Sequence, residues 1–101
     1  MNANRVALEL RALRELCACS GVPRLRAAVT QLRTHEWIDA DRAVVFAAIH
    51  ECVERDAKVT REAVIAMATR AGFPDIDCEQ CFARGGEELE GAVEALLKCR
   101  D

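Results

Sequence analysis

The chain has 101 residues, half of them hydrophobic, and 17 acids against 14 lysines and arginines give a formal charge of −3. That length suits one domain with a core of its own, and the interleaved charges argue against a partner read through its phosphate backbone. No apolar run approaches the roughly 20 residues that span a bilayer, and the N-terminus lacks the apolar core of a signal peptide, so a cytoplasmic protein is expected.

Ala, Leu, Val, Glu and Arg dominate, and Tyr is absent. This mixture favours helices. A first helix is expected over residues 3–19, with Val6, Leu10, Leu13, Leu16 and Cys17 in one stripe. Ser20 to Pro23 stops it, and Pro23 suits the first turn of a second helix ending near residue 34. Leu25, Ala28, Val29 and Leu32 form its apolar stripe. Asp39 or Asp41 then caps a third helix, whose buried face is Val45, Phe46, Ile49, Cys52 and Val53. Trp37 and Ile38 precede that cap, where an apolar residue packs on the first turns.

After a turn at residues 56–59, Thr60 caps a fourth helix with Glu62 near its positive end. Its inner face is Val64, Ile65, Ala68 and Ala71. Gly72 and Pro74 end it. Asp77 can cap a short turn reaching Phe82. Gly85-Gly86 breaks the chain, and a last helix is expected over residues 87–99, with Leu89, Val93, Leu96 and Leu97 as its stripe. Lys98 and Arg100 suit its negative end. No strand-like alternation, repeat or linker is visible. The expectation is one all-α domain over residues 1–101, a compact orthogonal bundle of five to six helices with short connections.

Little in the sequence carries chemistry. Cys78-Glu79-Gln80-Cys81 is a C-x-x-C, which could be half a zinc site or a redox pair. A redox pair would open a helix after a strand, and none precedes it. A zinc site would need Cys17 and Cys19 to join Cys78 and Cys81. The favoured reading is reduced thiols, mostly buried as small hydrophobes. His50, Glu51 and Cys52 are adjacent on a helix and diverge by about 100° per residue, so they form no nucleophile pair. His35 is expected at a helix end. No phosphate-cradling glycine motif is present, and no carboxylate pair can be argued into acid–base work. Arg5, Arg11, Arg14, Arg24, Arg26 and Arg33 enrich the first third. Salt-bridged, solvated arginines are expected there, since no aromatics interleave them to stack on bases. No cofactor, no catalytic residue and no direct nucleic-acid binding are expected.

Three segments, in their order, resemble a known family. They are Trp37-Ile38-Asp39-Ala40-Asp41-Arg42-Ala43-Val44-Val45-Phe46-Ala47-Ala48-Ile49, then Thr60-Arg61-Glu62-Ala63-Val64, then Gly85-Gly86-Glu87-Glu88-Leu89. From about Val6 to Leu97 the chain is similar to the N-terminal domain of DnaB-type replicative helicases. Ala40 stands where that family usually has Pro, and Arg42 where it usually has His. The resemblance implies a non-enzymatic interaction domain in DNA replication, because the family's nucleotide site lies in a separate motor domain. It also implies self-association, as a homodimer for instance, or contact with primase, whose C-terminal domain has a similar helical fold. Gly91, between Leu89 and Val93, marks the place to look. Glycine within a helix costs about 1 kcal/mol relative to Ala, and it often admits another backbone. Leu89, Gly91 and Val93 are therefore the expected partner contacts, and the neighbour is either a helix of this chain or a second molecule. A cysteine-based metal-binding or redox-sensing protein is the competing class.

Overall fold

A computed structural model of the chain describes residues 3–19, 22–82 and 88–99. The expected breaks at Ser20-Gly21 and Gly85-Gly86, and Arg100, lie outside the described residues. Among the described residues five α-helices succeed one another: α1 Ala3–Ala18, α2 Val22–Leu32, α3 Ala40–Glu54, α4 Arg61–Arg70 and α5 Leu89–Lys98. A 3-10 turn at Glu79–Phe82 lies between α4 and α5. The fold is all-α, and the described residues contain no strand.

Local chemistry explains where the helices start and stop. Asp39 is the cap of α3: its carboxylate accepts from the N–H groups of Asp41 at 2.8 Å and Arg42 at 3.3 Å. Thr60 accepts from Ala63 N–H at 3.0 Å at the start of α4. Asp77 does the same for the 3-10 turn, accepting from Glu79 N–H at 3.1 Å. α4 is closed off by Gly72, just past its cap Ala71: a φ of 99° there lets Phe73 N–H return to Ala68 C=O at 2.8 Å. α3 ends by the same hydrogen-bonded loop, but Asp56 takes the left-handed position at φ 54° and Ala57 N–H returns to Cys52 C=O at 2.8 Å. Aspartate tolerates that conformation better than most side chains.

α1 is the organising element. It packs against α5, the 3-10 turn, α3 and α2, while α3 and α4 form a close neighbour pair joined by residues 55–60. Leu13, Leu16, Leu32, Val45, Ile49, Val64, Leu89 and Leu96 are fully enclosed between these elements. The radius of gyration is 12.4 Å, close to the roughly 13 Å of a single compact domain this long.

Three expectations about the apolar stripes are corrected. Leu97 is 45% exposed, because Val93 and Leu96 already fill the α5 side of the core. Ala71 is exposed, since it is the residue at which α4 ends. Ile38 is 39% exposed and does not staple the start of α3. Trp37 reaches further instead, with its ring centroid 5.1 Å from that of Phe46.

Candidate interaction surface and buried polar sites

Two carboxylates in the core were not apparent from the helical stripes. Glu9 of α1 is completely buried. Its oxygens accept from Ile38 N–H at 3.0 and 3.3 Å, and His35 Nε2 lies 2.7 Å from Oε2. With Nε2 as the donor, Glu9 fixes the segment between α2 and α3 onto α1. His35 in turn meets Trp37 edge-on, with centroids 4.7 Å apart and planes at 87°. His35 is thus a clasp in the interior as well as a helix-end residue. The indole N–H of Trp37 is buried with no acceptor among the described residues. The sequence held a signal for Glu9: residues 9, 13 and 16 share one helical face, so an acid stands in line with Leu13 and Leu16.

Glu15 is the second. It is buried, and its Oε1 accepts from Glu88 N–H at 2.7 Å. Glu88 is the cap residue of α5 but makes no capping bond with its own side chain. A carboxylate on α1 therefore serves the positive end of α5, where a free N–H group and the helix dipole both favour an anion.

Most of the early arginines are held by the chain's own groups. Arg5 donates to Glu36 C=O, Arg14 to Gln80 C=O, and Arg26 to Val53 C=O and Asp56. Arg24 grips Glu90 through two bonds of 2.7 and 2.6 Å, and Arg11 lies 3.5 Å from Glu88. Bidentate bonding by Arg24 brings the Glu90 carboxyl down to about 2. These bonds tie α2 and α1 to the elements they face; Arg11, Arg24 and Arg26 meet carboxylates as expected, whereas Arg5 and Arg14 donate to backbone carbonyls.

Among the described residues, the cysteines do not assemble a metal centre. Cys52, Cys78 and Cys81 are core residues, and Cys17 is half-buried on α1. Burial raises all four thiols above the usual range. Cys81 is pushed up to about 11, and Cys17 further still, with Cys81, Cys78 and Cys52 nearby adding to the burial. Metal ligation and redox attack both need the thiolate, which these surroundings disfavour. Among the described residues, no group of three or more His, Cys, Asp or Glu side chains converges to hold an ion. His50 pairs with Glu54 and Glu51 with Arg55, so His50, Glu51 and Cys52 part ways as their helical spacing requires.

Of the expected partner contacts, Leu89 and Val93 are each only 2% exposed and belong to the core. Gly91 lies in the first turn of α5, not midway along it, because that helix starts at Leu89. A Cβ at Gly91 would meet only the Glu88 side chain, at 3.1 Å from Oε2 and 3.8 Å from Cβ. Among the described residues no backbone of another element approaches it.

The surface beside these residues is more informative. α2 and α5 enclose a groove of about 670 Å³. Ala27, Ala28 and Val93 make its apolar lining, and Leu97 stands exposed beside them. The Arg24–Glu90 and Glu94–Lys98 pairs border it. A smaller cleft of about 310 Å³ lies between α3 and α4, next to Phe73, which is 48% exposed. Among the described residues, no helix is long and apolar enough to cross a membrane. Fold and surface together define a small all-α domain with apolar grooves between its helices. No family model, no curated protein and no solved structure matches the chain.

Proposed function

We propose that this chain is a non-enzymatic protein-interaction domain of DNA replication. In this reading it works as the N-terminal domain of DnaB-type helicases does, by self-association or by binding a primase-type partner. The observation that carries the reading is the α2–α5 groove. Its lining of small side chains leaves room for an incoming helix, and Leu97 supplies an apolar contact that the domain's own core leaves outside. A helix laid in a groove recognises its site through such spaced apolar contacts. The bordering charges occur as pairs of opposite sign, so a second copy meets no net repulsion there. The order of the three resembling segments gives the direction toward replication proteins.

Light scattering over a concentration series tests the first partner, and titration with the helical C-terminal domain of a primase tests the second. Association in either experiment, lost in Leu97→Glu while the helical signal is retained, is the expected result. A wild-type chain that stays monomeric at every concentration and ignores primase removes the reading.

A further inference from the structure

A third cleft, of about 480 Å³, opens where the C-terminal ends of α1 and α3 meet α2. Its volume falls within the range of small-molecule sites, about 300–1,000 Å³. Leu25, Val53, Ala57 and Val59 give it apolar walls, and Cys17 adds a thiol that burial keeps neutral. Leu25 and Val53 are core residues whose small remaining exposure lies beside this opening.

The charges around it are unevenly matched. Asp56 and Lys58 both border the cleft and are exposed. Asp56 is held in place by its left-handed backbone and by Arg26, 3.0 Å away. Among the described residues nothing pairs with the Lys58 ammonium, and nothing accepts from the backbone N–H of Lys58 or Val59. The end of α3 would ordinarily present negative carbonyls here. Three of the last four are occupied: Glu51 C=O accepts from Arg55 N–H, Cys52 C=O from Ala57 N–H, and Val53 C=O from Asp56 N–H and Arg26. The opening therefore carries, beside its apolar recess, a cation and two N–H donors without partners among the described residues.

We propose that this cleft binds a small apolar carboxylate, with a short chain or single ring against Leu25, Val53 and Val59 and its head group at Lys58. The apolar walls supply attraction without direction, while Lys58 selects the sign of the head. An exposed charge pair of this kind is worth about a factor of five in affinity at most. The head therefore sets preference, and the walls set binding.

The experiment is an amide-resonance titration of isotope-labelled protein with decanoate below its micelle concentration. Decanol and decyltrimethylammonium serve as neutral and cationic comparisons. Saturable shifts at Ala57, Lys58 and Val59 are expected, strongest with decanoate. Lys58→Glu, an exposed change, is expected to weaken decanoate about fivefold and to favour the cation. Ala57→Trp is expected to fill the recess and abolish saturable shifts. If that variant does not fold, Lys58→Glu still decides. Absence of saturable shifts, shifts confined to the α2–α5 or α3–α4 groove, equal response to the three heads, or unchanged decanoate affinity in Lys58→Glu would each overturn the proposal.

Discussion

Removing the carboxylate of Glu9 should be among the most damaging single changes in this domain. The side chain is wholly enclosed, accepts the N–H of Ile38 and pairs with His35. In Glu9→Ala the Ile38 donor loses its acceptor, which costs about 1–3 kcal/mol, and His35 loses its partner in a closed space. Breaking a buried pair from one side typically costs about 3–5 kcal/mol in all, and that is the expected loss here. Glu9→Gln keeps the shape and one carbonyl acceptor, so its loss should be about half as large. Replacing both partners, as in Glu9→Leu with His35→Leu, removes the stranded groups together and should recover much of the stability. Urea melts followed by Trp37 fluorescence are suited to the measurement, because the indole touches His35 directly. Far-UV circular dichroism on the same samples checks that unfolding is a single transition. The interaction energy from the four-variant cycle should lie between about 1 and 3 kcal/mol. A cycle that closes within about 0.3 kcal/mol would show that Glu9 and His35 do not act together.

Other expectations are simpler. Phe46→Ala should cost about 3–5 kcal/mol, since this ring is buried against Trp37, and a loss below about 1 kcal/mol in the same melts would contradict its placement. Gly91→Ala should raise stability by up to about 1 kcal/mol, because the added methyl meets only the flexible Glu88 side chain, whereas a drop in the denaturation midpoint would reveal a tighter neighbour. The carboxyl of Glu90 is depressed in the fold by Arg24, so its contribution is present above its ordinary 4.5 and disappears as pH falls toward about 2; Arg24→Ala should flatten that part of the pH–stability curve, most visibly at low salt. The Cys81 thiol has the opposite sign: raised to about 11, it gives stability that is full below its ordinary 9.0 and is lost as pH climbs to about 11, and Cys81→Ala should lessen the alkaline slope that it shares with Cys17, Cys52 and Cys78 while lowering overall stability.

The helices were legible where the deciding chemistry is local. Asp39, Thr60 and Asp77 cap the turns that begin beside them because a short oxygen-bearing side chain can reach an N–H two or three residues away. The faces of α2 and α3 could be read for the same reason, since spacing along one helix sets which residues share a side. The exposure of Leu97 could not, because it depends on Val93 and Leu96 filling the α5 side of the core, which only the packed fold shows. Nor could the role of Glu15, whose partner Glu88 is 73 positions away in sequence. Asp56 shows a third kind of gap. Its position after α3 marks a turn, but only the return bond from Ala57 shows that an aspartate takes the left-handed place where Gly72 stands after α4. For the interaction surface, the sequence pointed to α5. Its apolar residues Leu89 and Val93 face inward, however, and the groove beside Leu97 needs α2 as its other wall.

The placement of α1 bears on how the chain is made. Translation delivers this helix before the other four, yet its chief neighbours are the 3-10 turn and α5, which follow α2, α3 and α4 in the chain. Until then Glu15 has no Glu88 N–H to bind, and Leu13 and Leu16 lack much of their packing surface. The α3–α4 pair, contiguous in sequence, can be assembled on the ribosome without waiting. α1 emerges early and must remain soluble, and the arginines at positions 5, 11 and 14 help it do so before they find their acceptors. The nascent chain should therefore acquire protease resistance in one late step, when α5 clears the exit tunnel, instead of helix by helix.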